Sequence, residues 1–121
     1  MREYAFEKLI VWQEARELTK LIYQITAGFP ETEKFGLTNQ MRRATVSIAS
    51  NIAEGSGRKG SKEQQQFYRV AYSSLMELLS QLILAYDLNY LAENKVDSEL
   101  RPRIESISSK LYSLRKGSDL R

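Results

Sequence analysis

Cysteine and histidine are both absent from the 121 residues. Without cysteine there is no disulfide, no thiolate nucleophile and no cysteine-held zinc or iron–sulfur site. Without histidine the usual general base, the usual catalytic triad and the commonest transition-metal ligand are gone too. Only carboxylate, lysine, serine or tyrosine chemistry, or a hard cation on carboxylates, stays open to an enzyme. No catalytic residue, metal or cofactor is therefore expected. Long apolar runs are missing as well: nothing approaches the ~18 residues of a membrane span. Acidic residues such as Glu3 and Glu7 sit where a targeting presequence avoids them, so a cytoplasmic location without membrane contact is expected. Charge of one sign is scarce. The 18 Lys and Arg against 15 Asp and Glu leave +3, which permits a nucleic-acid partner without demanding one.

Proline and glycine are few, two and six, and they cluster. Gly28-Phe29-Pro30 with Gly36 marks one break, Gly55, Gly57 and Gly60 a second, and Asn94 to Ser98 a third. Between the breaks the apolar period is helical, and nothing alternates long enough for a sheet. The length fits a single domain over residues 1–121, large enough to bury its own core. The first expected helix covers about residues 6–27, with Leu9, Trp12, Ala15, Leu18, Ile22 and Ile25 on one stripe. The second covers about residues 39–56 behind Thr38 as N-cap, its stripe being Met41, Ala44, Ile48 and Ile52. The third opens on a capping box of Ser61 with Gln64 and runs to about Ala92. The fourth starts near Asp97 or Ser98 and ends at Gly117, where Arg115 and Lys116 suit its C-terminal dipole. Pro102 is tolerable only in a first turn, which leaves that start open. Short connections make neighbours antiparallel. The expected fold class is all-α, an antiparallel up-down-up-down four-helix bundle.

Helix three carries more apolar surface than one core needs. Phe67, Ala71, Ser74, Leu78, Leu82 and Ala85 form one stripe; Tyr68, Tyr72, Leu75, Leu79, Ile83, Tyr86 and Tyr90 form a second beside it. A buried bundle helix needs one stripe about 100° wide. Either tyrosines lap over the core edge, or the second stripe, with Tyr68, Tyr72, Leu75, Leu79 and Tyr86, is a subunit interface. The interface reading is preferred.

The stretch from Leu37 to Arg58, ending in SIASNIAEGSGR, resembles the signature of the bacterial 23S rRNA-intervening sequence proteins. Three further segments agree: Phe6 to Gln13 with Val11-Trp12-Gln13, Phe29-Pro30-Glu31 with Glu33 to Leu37, and Ala71 to Leu78. The resemblance covers nearly the whole chain. It departs where Ser73 stands in place of a frequent glycine. It implies a four-helix bundle that assembles with copies of itself into a ring, typically of five subunits. Some members are encoded in sequences inserted within large-subunit rRNA genes. The similar accessory variability determinant proteins of diversity-generating retroelements form basic pentamers that bind nucleic acid and a reverse transcriptase. Arg43, Asn51, Glu54 and Gly55 match the most specific part of the motif.

Other patterns carry less. Gly55-Ser56-Gly57-Arg58-Lys59-Gly60 fits GxGxxG, but that motif needs a strand before it and here a helix precedes it. Ser61-Lys62 reverses the Lys-Ser/Thr order of a phosphate-binding loop. A glycine-rich turn, with Gly55 or Gly57 as C-cap, is the better reading. Free N–H groups opening helix three beside Arg58, Lys59 and Lys62 remain a weaker phosphate-site idea. Arg43, Ser47, Asn51, Glu54 and Arg58 draw a polar line along helix two, read as a solvated face with a Glu54–Arg58 pair or as a network against a neighbour. Glu54 as a metal ligand needs Glu7 and Glu63 nearby. Trp12, Tyr68 and Tyr72 have base-stacking chemistry but the helical spacing of core or interface residues.

Charge by end tells more. At the end holding the 55–62 loop and both termini, seven cations (Arg2, Arg58, Lys59, Lys62, Arg115, Lys116, Arg121) oppose Glu3, Glu63 and Asp119, an excess above the whole chain's +3. In a ring that field repeats around the axis. The leading expectation is a non-enzymatic homo-oligomer, a nucleic-acid-binding or ribonucleoprotein accessory factor. It contacts RNA or DNA phosphates through Arg58, Lys59, Lys62, Arg115 and Lys116. The alternative is a protein-interaction scaffold that binds another protein and no nucleic acid.

Overall fold

The computed structural model describes residues 4–117. Four helices carry the chain: α1 (Ile10–Thr26), α2 (Leu37–Ser56), α3 (Ser61–Asp87) and α4 (Arg101–Gly117). No strand occurs among the described residues, and the fold is all-α. The expected stripes of α1, α2 and α3 supply most of the core; Leu75, expected at a subunit interface, and the apolar residues of α4, for which the sequence reading named no stripe, complete it. Ala15, Leu18 and Ile22 of α1, Met41, Ala44, Ile48 and Ile52 of α2, Ala71, Leu75, Leu78 and Leu82 of α3, and Ile104, Ile107 and Leu111 of α4 share one buried cluster. Each helix touches its neighbours in the order α1–α2–α3–α4 and back to α1. The diagonals do not meet, which is four-helix-bundle packing.

Partner residues run in opposite senses along consecutive helices. Thr19 meets Thr45 while Tyr23 and Thr26 meet Arg42. Ser47 meets Ser74 while Gly55 meets Tyr68. Tyr72 lies under Arg115, and Tyr86 shares a hollow with Asp97 and Arg101. These pairings make the neighbours antiparallel. The start of α3, the end of α4 and the turn between α2 and α3 therefore share one end of the bundle.

Several boundaries differ from the sequence reading, among them the start of α4, at Arg101 and not near Asp97 or Ser98. Residues 5–8 form a 3-10 turn, and α1 starts only at Ile10. The Leu9 backbone between them is extended, at ψ 126°. Thr38 is not the cap of α2 but a buried residue of its first turn; Gly36 is the N-cap. The orphan Leu37 N–H donates to Glu33 Oε1 at 2.9 Å, so a carboxylate from the preceding turn replaces the expected hydroxyl. Ser61 is likewise the first helical residue behind Gly60, not the cap. Helix α3 stops at Asp87, five residues short of expectation, because Asn89 turns left-handed at φ 66°. Tyr90 N–H then donates to Ala85 O and Asn89 N–H to Tyr86 O, a Schellman closure built on asparagine. Leu88 and Leu91 continue the apolar period past that stop, which is why the period alone overshoots.

Pro102 sits in the first turn of α4 as its chemistry requires, and the chain enters α4 through a π-helical segment, Lys95–Leu100. A wider turn ahead of proline accommodates the ring and the missing N–H.

Candidate nucleic-acid interface

The turn after α2 is closed by its own backbone. Gly57 N–H donates to Glu54 O at 3.2 Å and Arg58 N–H to Gly55 O at 3.1 Å. From α3, Gln64 Nε2 donates to Arg58 O at 2.8 Å. Gly57 is the C-cap, in right-handed backbone. Gly55 is not a cap: it is buried inside α2, and a Cβ there would stand 2.7 Å from Tyr68 Cε1 and 3.0 Å from Phe67 Cβ. Its role is close approach of α2 to α3, the most extensive helix pair.

The expected phosphate ligands divide. The Arg58 guanidinium lies 4.9 Å from the Phe67 ring centroid and 3.3 Å from Glu54 Oε2, so its own chain engages it. Lys59 and Lys62 are exposed, and no ion pair among the described residues includes them. Arg115 lies 5.3 Å from the Tyr72 ring centroid, and Lys116 Nζ 5.6 Å from that of Tyr112. Arg115 and Lys116 line a cleft of about 340 Å³ with Gln65, Arg69 and Tyr112. Among the described residues no carboxylate lines it. Arg2, Glu3, Asp119 and Arg121 lie outside the described residues.

Arg69 and Tyr112 are the functional candidates that the sequence reading missed. A signal existed. Lys62, Gln65 and Arg69 stand at i, i+3 and i+7 on α3, and Tyr112, Arg115 and Lys116 at i, i+3 and i+4 on α4, so each trio shares a face. That the two faces meet is visible only once α3 and α4 are packed.

The polar line on α2 takes both expected forms. Its middle is a network: the Ser47 and Ser74 hydroxyls share a hydrogen bond of 2.8 Å across to α3, and Asn51 Nδ2 donates to Ser47 O at 2.8 Å. Its end is a solvated Glu54–Arg58 pair. Arg43 is exposed and borders a hollow of about 570 Å³ with Tyr23, Asn39, Arg42, Val46 and Ser47. Among the described residues no three acidic side chains converge on one point, so Glu7, Glu54 and Glu63 form no cation cage.

The expected interface stripe also divides. Tyr68 and Leu75 are wholly buried in this chain's own core and are not available to another subunit. The antiparallel packing of α2 and α4 on α3 widens its buried arc to take them in. Tyr72 and Leu79 are half-buried. Tyr86 is exposed, with its hydroxyl 3.3 Å from Glu93 Oε2. Val70, Ile83, Leu84 and Leu88 are the further exposed apolar residues of α3 and its cap. Trp12 packs edge-on to Phe6 at 4.9 Å and is not a stacking platform.

A serine–lysine pair lies elsewhere, between α1 and α4. Lys110 Nζ donates to Ser106 Oγ at 2.7 Å and to Glu14 Oε2 at 3.0 Å, while Ser106 Oγ donates to Glu14 Oε1 at 2.9 Å. A lysine base needs a free lone pair, and this ammonium is spent on a carboxylate and a hydroxyl. The cluster ties two helices in register.

A family profile described as 23S rRNA-intervening sequence protein matches residues 7–113. Among solved structures, the chain is similar to a protein with unknown function from the S23 ribosomal protein family of Bacteroides thetaiotaomicron. The TM-score is 0.78 at 21% identity, covering 88% of this chain and 99% of that one. At that identity the likeness speaks for the fold. Comparison with curated proteins finds no match.

Proposed function

The chain belongs to the 23S rRNA-intervening sequence protein family, and from that premise we propose that it is a cytoplasmic, non-enzymatic, homo-oligomeric accessory factor that binds nucleic acid through its basic end. The observation that carries the reading is the cleft of Arg69, Arg115 and Lys116, lined by no carboxylate among the described residues, at the end that also bears Lys59 and Lys62. Phosphate is the ligand such a surface favours, because clustered cations neutralise backbone charge without reading base sequence. One cleft binds weakly. Repetition around a ring of copies multiplies it through effective concentration.

The test spares Arg58, which its own chain engages. Lys59, Lys62 and Lys116 are exposed, so replacing all three with alanine leaves the core intact. In a polarisation titration the wild type binds RNA or DNA more tightly at low salt than at high salt, since each neutralised phosphate releases counterions. The triple variant binds more weakly and loses about three units of that salt slope. Equal affinity of the two proteins removes the basic end from the argument.

The second reading is a protein-interaction scaffold. Exposed Ile83, Leu84, Tyr86 and Leu88 near the opposite end of α3 favour it, since clustered apolar surface marks protein contacts. Wild-type binding that ignores salt, or no binding, promotes it.

A further inference from the structure

Resting on the nucleic-acid reading, we infer that the cleft between the start of α3 and the end of α4 takes a single-stranded segment, with Tyr112 stacking on an unpaired base and Arg69, Arg115 and Lys116 holding the flanking phosphates. The cleft's composition distinguishes it from a general basic patch. Duplex backbone needs only cations, yet this cleft sets a ring among its cations. Tyr112 is 58% exposed, although a tyrosine on a bundle helix ordinarily laps onto the core. Among the described residues it is the only aromatic lining the cleft. Its neighbour Leu111 takes the core position instead.

The geometry suits a stacked base with phosphates on either side. Lys116 Nζ, 5.6 Å from the Tyr112 centroid, covers one ring face. The base takes the other, and the ammonium stays within reach of its phosphate. Arg115 is held by the Tyr72 ring at 5.3 Å, a contact that fixes its stem and leaves guanidinium donors for an anion. Arg69 enters from the opposite wall, and no ion pair among the described residues involves it. At about 340 Å³ the cleft is at the small end of ligand sites, room for one base and not for the width of a duplex. In a duplex the faces of the bases are already stacked on each other, so the tyrosine has nothing to bind. Stacking is tolerant of sequence, since every base has a π-face.

The experiment uses one non-self-complementary oligonucleotide of about twelve nucleotides, long enough for a site of this kind. It is prepared as RNA and as DNA, each alone and annealed to its complement, and titrated by polarisation. The single strands are expected to bind at least about tenfold tighter than the duplexes. Tyr112→Ala is expected to remove about that factor, ~1.4 kcal/mol, from single-strand affinity and none from duplex affinity. Tyr112→Phe is expected to retain it, since stacking needs the ring and not the hydroxyl. RNA bound more tightly than DNA points to an RNA ligand, and equal binding to recognition of base and phosphate alone; both support the inference. Equal affinity for single strand and duplex, or a Tyr112→Ala variant as good as wild type, overturns the stacking site while leaving the basic end in place. No binding by any of the four ligands overturns both readings.

Discussion

Glu33 shows how much one side chain carries here. Its carboxylate accepts from Leu37 N–H at 2.9 Å and from the Tyr90 hydroxyl at 2.9 Å, joining the start of α2 to the turn beyond α3. The Leu37 N–H bond first, and the Tyr90 bond second, hold Glu33 below the usual glutamate value of 4.5. The same bond holds Tyr90 above its usual 10.0. The signs follow from linkage. A carboxyl lowered by folding contributes fully above about pH 4.5 and loses that contribution as the pH falls through its folded value. A raised phenol contributes fully below about pH 10 and loses it as the pH rises through its folded value. Glu33→Gln is therefore expected to melt below wild type near neutral pH. The gap should narrow as thermal melts are taken down in pH through the lowered Glu33 value, below which both side chains are neutral. A gap independent of pH assigns the effect to shape and not to charge. Gly36 belongs to the same device: a Cβ there would stand 2.6 Å from Glu33 Oε1 and displace the cap.

Between helices, the α2–α3 contact depends on one missing methyl group. Gly55→Ala places a Cβ against Tyr68, which has no exposed surface and no room to swing, and against Phe67 Cβ, which moves only with its backbone. Overpacking of this kind costs about 1–3 kcal/mol. Alanine recovers up to ~1 kcal/mol through helix propensity, so a net loss is expected on denaturant unfolding. Gly57→Ala and Gly60→Ala are the controls: an added Cβ meets only ordinary contacts at Gly57 and nothing within 4 Å at Gly60. Both are expected to leave stability unchanged or raised. A Gly55→Ala variant as stable as wild type contradicts the close-approach role. Ser73 gives the complementary case. It is exposed, so a side chain at this position meets no helix of this chain.

At the scale of the molecule, α3 has more apolar surface than its own bundle covers. The residues left outside are Val70, Ile83, Leu84, Tyr86 and Leu88, and the proposed self-association uses them and not Tyr68 or Leu75. Light scattering at micromolar concentration is expected to give several times the monomer mass. Leu84→Glu with Leu88→Glu is expected to reduce that mass without loss of helical circular dichroism, because both positions are exposed and charge at an interface core is costly. A monomeric wild type rejects self-association and, with it, the ring that multiplies the basic end.

The sequence by itself determined the four helices, the buried faces of the first two and the exclusion of cysteine and histidine chemistry. Helical periodicity is a local property, and Leu18, Ile48 and Leu78 sit in the core because spacing of three and four residues aligns them. It also placed Arg115 and Lys116 with the turn that bears Lys59 and Lys62, since short connections dictate which ends meet. Local patterns could not say where α3 stops, because the left-handed Asn89 interrupts a run that stays apolar through Leu91. Nor could they separate Tyr68 from Tyr72, four residues apart on one helix. The first is buried against Gly55 of α2 and the second is half-covered by Arg115 of α4. The cleft itself joins Arg69 to Tyr112, 43 positions apart in the chain. Such a meeting is decided by how α4 packs on α3, and tertiary packing is information that no single stretch of sequence holds.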